Sequence, residues 1–528
     1  MNASVPGLVS HDGTPLRRAS TYRATSPYRG ADPVSQELGG WHPSLNTPTG
    51  DLARARDPLV ARTRDLDRNN GYASGIKQTL LDSVIGTNWR LRARPNWRVL
   101  GIDYKTAVEW SSVVEAKWRS HADNPGCWID AARRRRFSGL LRTQFTTWQM
   151  AGEHLSVAQW EPDRIGPGRA RYATCIQLVD PDRLGNPNGA PEAVDLRMGV
   201  HLGRYGDPLG YWIRDAHPAD WVNALEANTW TYSPRETPWG RPVTLHGLEE
   251  DREGWVRGVP PLAAVVEALR LQDVYERYEA IGAILNAFYA AVIQTQTGID
   301  PESLGEVFGK DPTTGAALPP DVDINVRGVA VPVLPPGVEL KFLNAARPAA
   351  AQFAQFEDAV LRRIAAGSGL SYEQVSRDYS KTNYSSARAS FAAAWKFMTG
   401  RSAFFATTFA DPVYAMWLEE AIDRGEVELP KGAPDFYEAR SDWVACRWIG
   451  PGRGWIDPVK EAQASRMKID ADLSTLEDES AEQGVDWEET LEQKVYENHR
   501  RKELGLPDTG AQLYRVNSNG NEPANAGT

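Results

Sequence analysis

Apolar residues follow two periodicities that divide the chain. Over 51–86, "DLARARDPLVARTRDLDRNNGYASGIKQTLLDSVIG", Leu66, Ile76, Leu80 and Val84 fall at helical spacing, and Gly86 supplies a stop. "TNWRLRARPN" then alternates like a strand, and helices are predicted over 104–122 and 133–152. From 153 to 245 the pattern becomes short alternating stretches cut by Pro and Gly, such as "HLSVAQWEP" and "ATCIQLVDPDRL", which predicts a mostly antiparallel sheet.

Residues 260–295 return to a helical period. Pro260 and Pro261 suit a first turn, where no N–H is needed, and Val274, Tyr278, Ile281, Leu285, Phe288 and Val292 form one apolar face. At about 1.5 Å per residue this is a rod on the order of 50 Å long. Such a rod needs a partner along its length, and neighbouring copies in a ring would provide one. A Gly/Pro/Asp-rich stretch over 297–340 reads as a loop-and-strand module. A second helix over 349–369 places Phe353, Phe356, Val360 and Ile364 on one side. The region 387–425 is helical but must be kinked or interrupted by Pro412, and the acidic 470–506 is helical again. Residues 1–50 and the tail from about 506 have the polar composition of mobile segments.

With 528 residues the chain exceeds one core and suits two to four domains; 41% hydrophobic and 24% charged residues predict globular folding for most of it. The net charge of −10 argues against a tight grip on phosphates, so any DNA would be met loosely. Cys127, Cys175 and Cys446 lie far apart without a CxxC pair, against a disulfide framework or a zinc site. The N-terminus has no apolar core of a secretory signal, and the longest apolar run, 280–293, is shorter than the roughly 20 residues of a membrane span. The expectation is an intracellular chain.

Candidate chemistry is sparse. The eight His form no metal-ligand spacing, and "GPGRGW" (450–455) lacks the Lys-Ser/Thr ending of a phosphate loop and reads as a turn. "SKTN" (380–383) lacks the companion motifs of serine acyl-transferases, and His154 beside Glu153 reads as a structural hydrogen-bonder. Arg133 to Arg136 would spread around a helix start, solvated or salt-bridged, rather than face DNA together. What stands out is "RDYSKTNYSSARASF" (377–391), dense in small hydrogen-bonding side chains before an Ala-rich helix. Asn383 or a nearby Ser can cap that helix, which accounts for one or two of them.

Four separated blocks carry a resemblance: "GLSYEQVSRDYSKTNYSSARAS" (369–390), "RDLDRNNGYASGIKQTLLDSVIGTNWRL" (64–91), "RGVPPLAAVVEALRLQDVYERYEA" (257–280) and "GWIDPVKEAQASRMKIDADLSTLEDESAEQGVDWEE" (454–489). Their order and content are similar to the lambda-like phage portal protein family, over most of 51–506. The resemblance implies an α+β portal fold with no catalytic residues, cofactor or metal. It implies a flexible arm (1–50), a wing of helices and mostly antiparallel sheet (51–256), a first stem helix (257–296), a small α/β clip (297–345) and a second stem helix (346–370). A tunnel loop (371–386), a long kinked wing helix and return (387–450), a helical crown (451–506) and a flexible tail (507–528) would follow.

About twelve such copies would form a ring at one capsid vertex of the virion, assembled in the host cytoplasm. Double-stranded DNA would pass through non-specifically. Terminase, major capsid protein and a head-tail connector would be partners, with no membrane. DNA-facing candidates are Arg377, Asp378, Tyr379, Ser380, Lys381, Thr382, Asn383 and Tyr384 in the tunnel loop, and Glu267, Asp273, Glu276 and Glu279 on the stem. An acidic bore would repel DNA and keep it sliding. The alternatives are an oligomeric membrane pore inserting 280–293, or an enzyme with a pocket of titratable groups that the sequence does not foretell.

Overall fold

The computed structural model describes residues 40–293, 350–380, 382–454 and 457–506. Most of the predicted N-terminal arm, the clip module, Lys381 and the C-terminal tail lie outside those residues.

Thr47 accepts a hydrogen bond from Gly50 and caps α1 (Pro48–Leu52), so the first helix among the described residues starts just before the predicted boundary. The helical stretch that follows is two helices, α2 (Arg56–Asn69) and α3 (Gly71–Val84). Extended Asn70 breaks them apart and caps α3 through Ala73 N. Then come β1 (Arg90–Ala93), α4 (Trp97–Leu100), α5 (Tyr104–Ala122) and α6 (Phe137–Ala151). The four arginines precede α6 rather than sit on it. Arg133 is left-handed (φ 54°) with its guanidinium 3.4 Å from the Trp128 ring centre, and buried Asp130 accepts from the backbone N–H of Arg134 and Arg135. The expected helical spread fails because Asp130 offers those N–H groups a partner outside any helix.

The sheet region is antiparallel as expected. It comprises β2 (Glu153–Trp160), β3 (Thr174–Val179), β4 (Leu196–Arg197), β5 (Val200–Leu202), β6 (Pro208–Arg214), β7 (Trp230–Pro234) and β8 (Thr244–Leu248). Two sheets result, ordered β3-β2-β8 and β4-β5-β6-β7, with Leu155 opposite Val179 and Val157 opposite Thr244. Gly152 turns the chain from α6 into β2 at φ +79°; a Cβ there would lie 2.1 Å from the Val259 backbone, so only glycine lets the two segments cross.

Pro260 and Pro261 come before a 3₁₀ turn (Ala263–Val265), and the long helix α7 (Val266–Ile293) starts after it rather than at the prolines. Across residues outside the description follow α8 (Ala350–Ser368), α9 (Tyr372–Ser376), α10 (Tyr384–Phe405), α11 (Asp411–Asp423), α12 (Arg440–Trp443) and β9 (Cys446–Ile449), the antiparallel partner of β1. The interruption expected at Pro412 is a π-helical turn, Ala406–Ala410, closed by a bond from Asp411 N to Ala406 O. Pro412 has no N–H to offer the preceding turn, and the wider turn absorbs that defect. The last helices are α13 (Pro458–Asp470), α14 (Leu476–Glu482) and α15 (Trp487–Glu503).

One aromatic-rich core joins the N-terminal helices, α10, α11 and β9. Trp118 is central, with ring centres 5.1 Å from Phe137, 5.2 Å from Trp417 and 5.8 Å from Trp448. A smaller core of Leu155, Val179, Val200, Tyr211 and Ile213 lies between the sheets.

Candidate functional site

α7 and α8 pack on one another through Leu269, Leu361 and Ile364, all buried, and through Tyr275, whose ring lies 4.5 Å from Phe356 and 5.7 Å from Phe353. The face that α7 and the turn before it bury within the chain is therefore Val265, Ala268, Leu269 and Gln272, offset from the predicted stripe. On that stripe Tyr278 is 68% exposed and Val274 and Ile281 are half-buried. Up to Ile281 the helix is apolar on two sides, and among the described residues only one of them is covered.

The four acids expected to face DNA from this helix separate. Glu267 is exposed. Asp273 is flanked by Arg270 at 2.9 Å and Arg277 at 3.6 Å, which cancel its charge locally. Glu276 turns toward Glu357 on α8; burial and that neighbouring carboxylate push its carboxyl above the usual range. Tyr72 of α3 donates to the same Glu357 at 3.0 Å. Glu279 is half-buried.

The segment 371–386 is folded back on itself. Ser371 and Gln374 form a reciprocal capping box on α9, and Tyr372 Oη donates to Asp358 of α8 at 2.6 Å. Arg377 ends α9 in the left-handed region (φ 59°) and reaches Thr79 Oγ1 of α3 at 3.0 Å. Ser376 Oγ accepts from Asp378 N, Asp378 Oδ1 from Ser380 N, and Glu373 Oε1 from Thr382 Oγ1. Asn383 caps α10 through Ser386 N, as expected from the sequence. Local bonding thus uses more of these polar side chains than the one or two anticipated. Tyr379 is exposed, Lys381 lies outside the described residues, and Tyr384 is the first residue of α10.

Sequence reasoning missed the strongest polar centre, where β2 and β8 meet α2 and the segment leading into α7. Glu153, fully buried, accepts from Arg56 Nη2 (2.7 Å), Arg257 Nη2 (2.7 Å) and Nε (2.9 Å), His246 Nε2 (3.1 Å) and Gly258 N (2.8 Å). Burial alone would raise its carboxyl, but Arg257 and Arg56 outweigh it and hold the group well below the usual carboxylate range. Its neighbour His154 is structural as expected: buried, with Nε2 2.9 Å from Thr408 Oγ1, and pushed down to about 3 by burial. The signal available in advance was weak, a charged residue heading an apolar strand.

A second cluster binds the C-terminal helices. Arg92 of β1 meets Glu115 (3.1 Å), Asp486 (3.6 Å) and Glu488 (2.7 Å), while Arg90 and Arg119 both bind Glu489 at 2.5 Å. From Leu491 through Arg500, α15 is exposed on every residue. Asp180, Asp182 and His217 bring potential metal ligands within 4.8 Å of one another, but Arg64 already binds both carboxylates, at 3.2 and 2.5 Å. All three cysteines are free. Among the described residues no helix is long and apolar enough to cross a membrane.

Comparison with known proteins places these features in context. Residues 35–401 match the model of the phage portal protein, lambda family. The portal protein of Escherichia phage N15 is 36% identical over 516 residues, covering 95% of this chain and 94% of the relative. Portal protein B of Escherichia phage lambda is 35% identical over 519 residues, with the same coverage. Among solved structures, a chain from the virion of a native gene transfer agent particle aligns over 85% of this chain and 94% of its own, with 12% identity and a TM-score of 0.39.

Proposed function

The chain belongs to the lambda family of phage portal proteins, and from that premise we propose that about twelve copies close into a ring at one capsid vertex. Double-stranded DNA passes through its bore during packaging by a terminase and during ejection, and a head-tail connector docks on the outer end. The observation that carries this reading is relatedness to portal proteins at 35–36% identity over 95% of the chain. The α7 stripe around Tyr278, uncovered among the described residues, supports the ring, because an apolar face on a stem helix calls for a neighbouring copy.

In the proposed division the wing is 51–256 with 387–450, the stem 257–296 and 346–370, the clip 297–345 and the crown 451–506. The tunnel loop at 371–386 faces DNA. Glu267 is the stem acid best placed to line the bore; Asp273 and Glu276 are engaged by neighbours of their own chain. No catalytic step, cofactor or metal enters this role.

Replacing Asp378 and Lys381 by Ala tests the loop. Rings near twelve times the 58.4 kDa chain mass, seen by light scattering and negative stain, should persist while DNA packaging changes. Unaltered packaging would remove the loop assignment, and a chain that never forms rings would remove the ring.

A further inference from the structure

A cavity of about 370 Å³ opens where α3, α10, β9 and α14 meet. Its walls include the indoles of Trp89, Trp395 and Trp448, together with Met398, Asp411 and Cys446. Trp89 and Trp448 lie 6.3 Å apart with their planes tilted by 38°. Asp411 follows the π-helical turn, and its Oδ1 accepts from Trp448 Nε1 at 2.8 Å and from Cys446 Sγ at 3.4 Å. Among the described residues no cation pairs with this carboxylate. Arg447, which also lines the cavity, is committed to Asp478 at 2.6 Å. Burial pushes the Asp411 carboxyl above its ordinary range, against the pull of those two bonds.

Indole faces attract cations through their ring quadrupole, most strongly when water is excluded. A partly buried carboxylate without a counter-charge is costly, and a cation beside it offsets that cost. A neutral ligand would leave the carboxylate unpaired, and an anion would meet Asp411 and Glu482. The volume falls at the lower end of the roughly 300–1,000 Å³ of small-ligand pockets. We propose that this cavity binds a guanidinium or ammonium group carried on a short alkyl stem, presented by a neighbouring copy's Arg or Lys or by a free small cation. Because Ala481 and Glu482 of α14 share the cavity with α10 and β9, the occupant would brace the last helices against the body.

Calorimetric titration of n-butylguanidinium into the full-length protein, as rings and as dissociated protomers, tests this, with n-butanol as the neutral control. The expected result is saturable binding that weakens at least about tenfold in Asp411→Asn. That variant keeps an oxygen for Trp448. Trp395→Leu, at a half-exposed wall, should weaken binding too and decides the matter if the first variant does not fold. Binding to protomers but not rings identifies a neighbour's side chain as the occupant; binding to rings identifies a free cation. Equal uptake of n-butanol, affinity unchanged in the variants, or no uptake by rings or protomers would overturn the assignment.

Discussion

Replacing Glu153 by Gln isolates the energetic weight of the buried centre that joins β2 to α2 and to the segment before α7. The substitution preserves shape but removes the charge that two guanidiniums share, each only 3% exposed at the side chain. In the best arrangement the Gln carbonyl takes the place of Oε1 and keeps the bonds from Arg56 and Arg257. Its amide then faces Gly258 N, which loses its acceptor. A charge-assisted bond contributes about 1.5–3 kcal/mol, and an orphaned buried donor costs about 1–3 kcal/mol. Breaking a buried ion pair costs about 3–5 kcal/mol, so the expected loss is about 4 kcal/mol.

Asp57→Asn is the internal control. Asp57 also binds Arg56, at 2.8 Å, but is 87% exposed and should change stability by less than about 0.5 kcal/mol. Urea unfolding followed by circular dichroism, at matched protomer concentration, reads both. The Glu153 carboxyl is held below its unfolded value, so its contribution is full above about pH 4.5 and fades as pH falls through the folded value. The deficit of the variant should therefore shrink in acid. A loss below about 1 kcal/mol, or one equal to that of Asp57→Asn, would refute the reasoning.

Glu115 should behave in the opposite sense. Burial pushes its carboxyl up to about 7 despite Arg92, so its favourable contribution is present below about pH 4.5 and lost as pH rises through 7. Glu115→Gln should flatten the fall in urea midpoint between pH 5 and 7.5, and parallel slopes in the two proteins would contradict this. Tyr278→Glu, on the uncovered face of α7, should leave the circular dichroism spectrum unchanged while preventing rings; twelvefold rings at wild-type yield would show that this face has no partner.

Legibility differed by element for physical reasons. The helix 104–122 and the alternating sheet were readable because period and burial agree there, and Asn383 was readable as a cap because the helix behind it starts at once. The face that α7 buries against its own chain went unread because Ala268 and Leu269, with Val265 of the preceding turn, form a second apolar side, and local period does not say which side meets the same chain. Glu153 stayed hidden because its partners Arg56, His246 and Arg257 come from about a hundred residues away on either side. The Asp411 cavity likewise gathers indoles from three distant segments.

Among its described residues the segment 371–386 bonds much of its own polar inventory, and it is held to the rest of the chain by Tyr372 to Asp358, by Arg377 to Thr79 and by the buried Val375. With Val375 as its pivot, such a segment could tilt as one piece, with its capping box and its Asn383 cap intact. In the ring proposed above, twelve such segments around the bore would not have to move in concert. Each could follow the nearest phosphate ridge as a screw-shaped polymer advances, so a ring of one symmetry could admit a helix of another without a wave of unfolding.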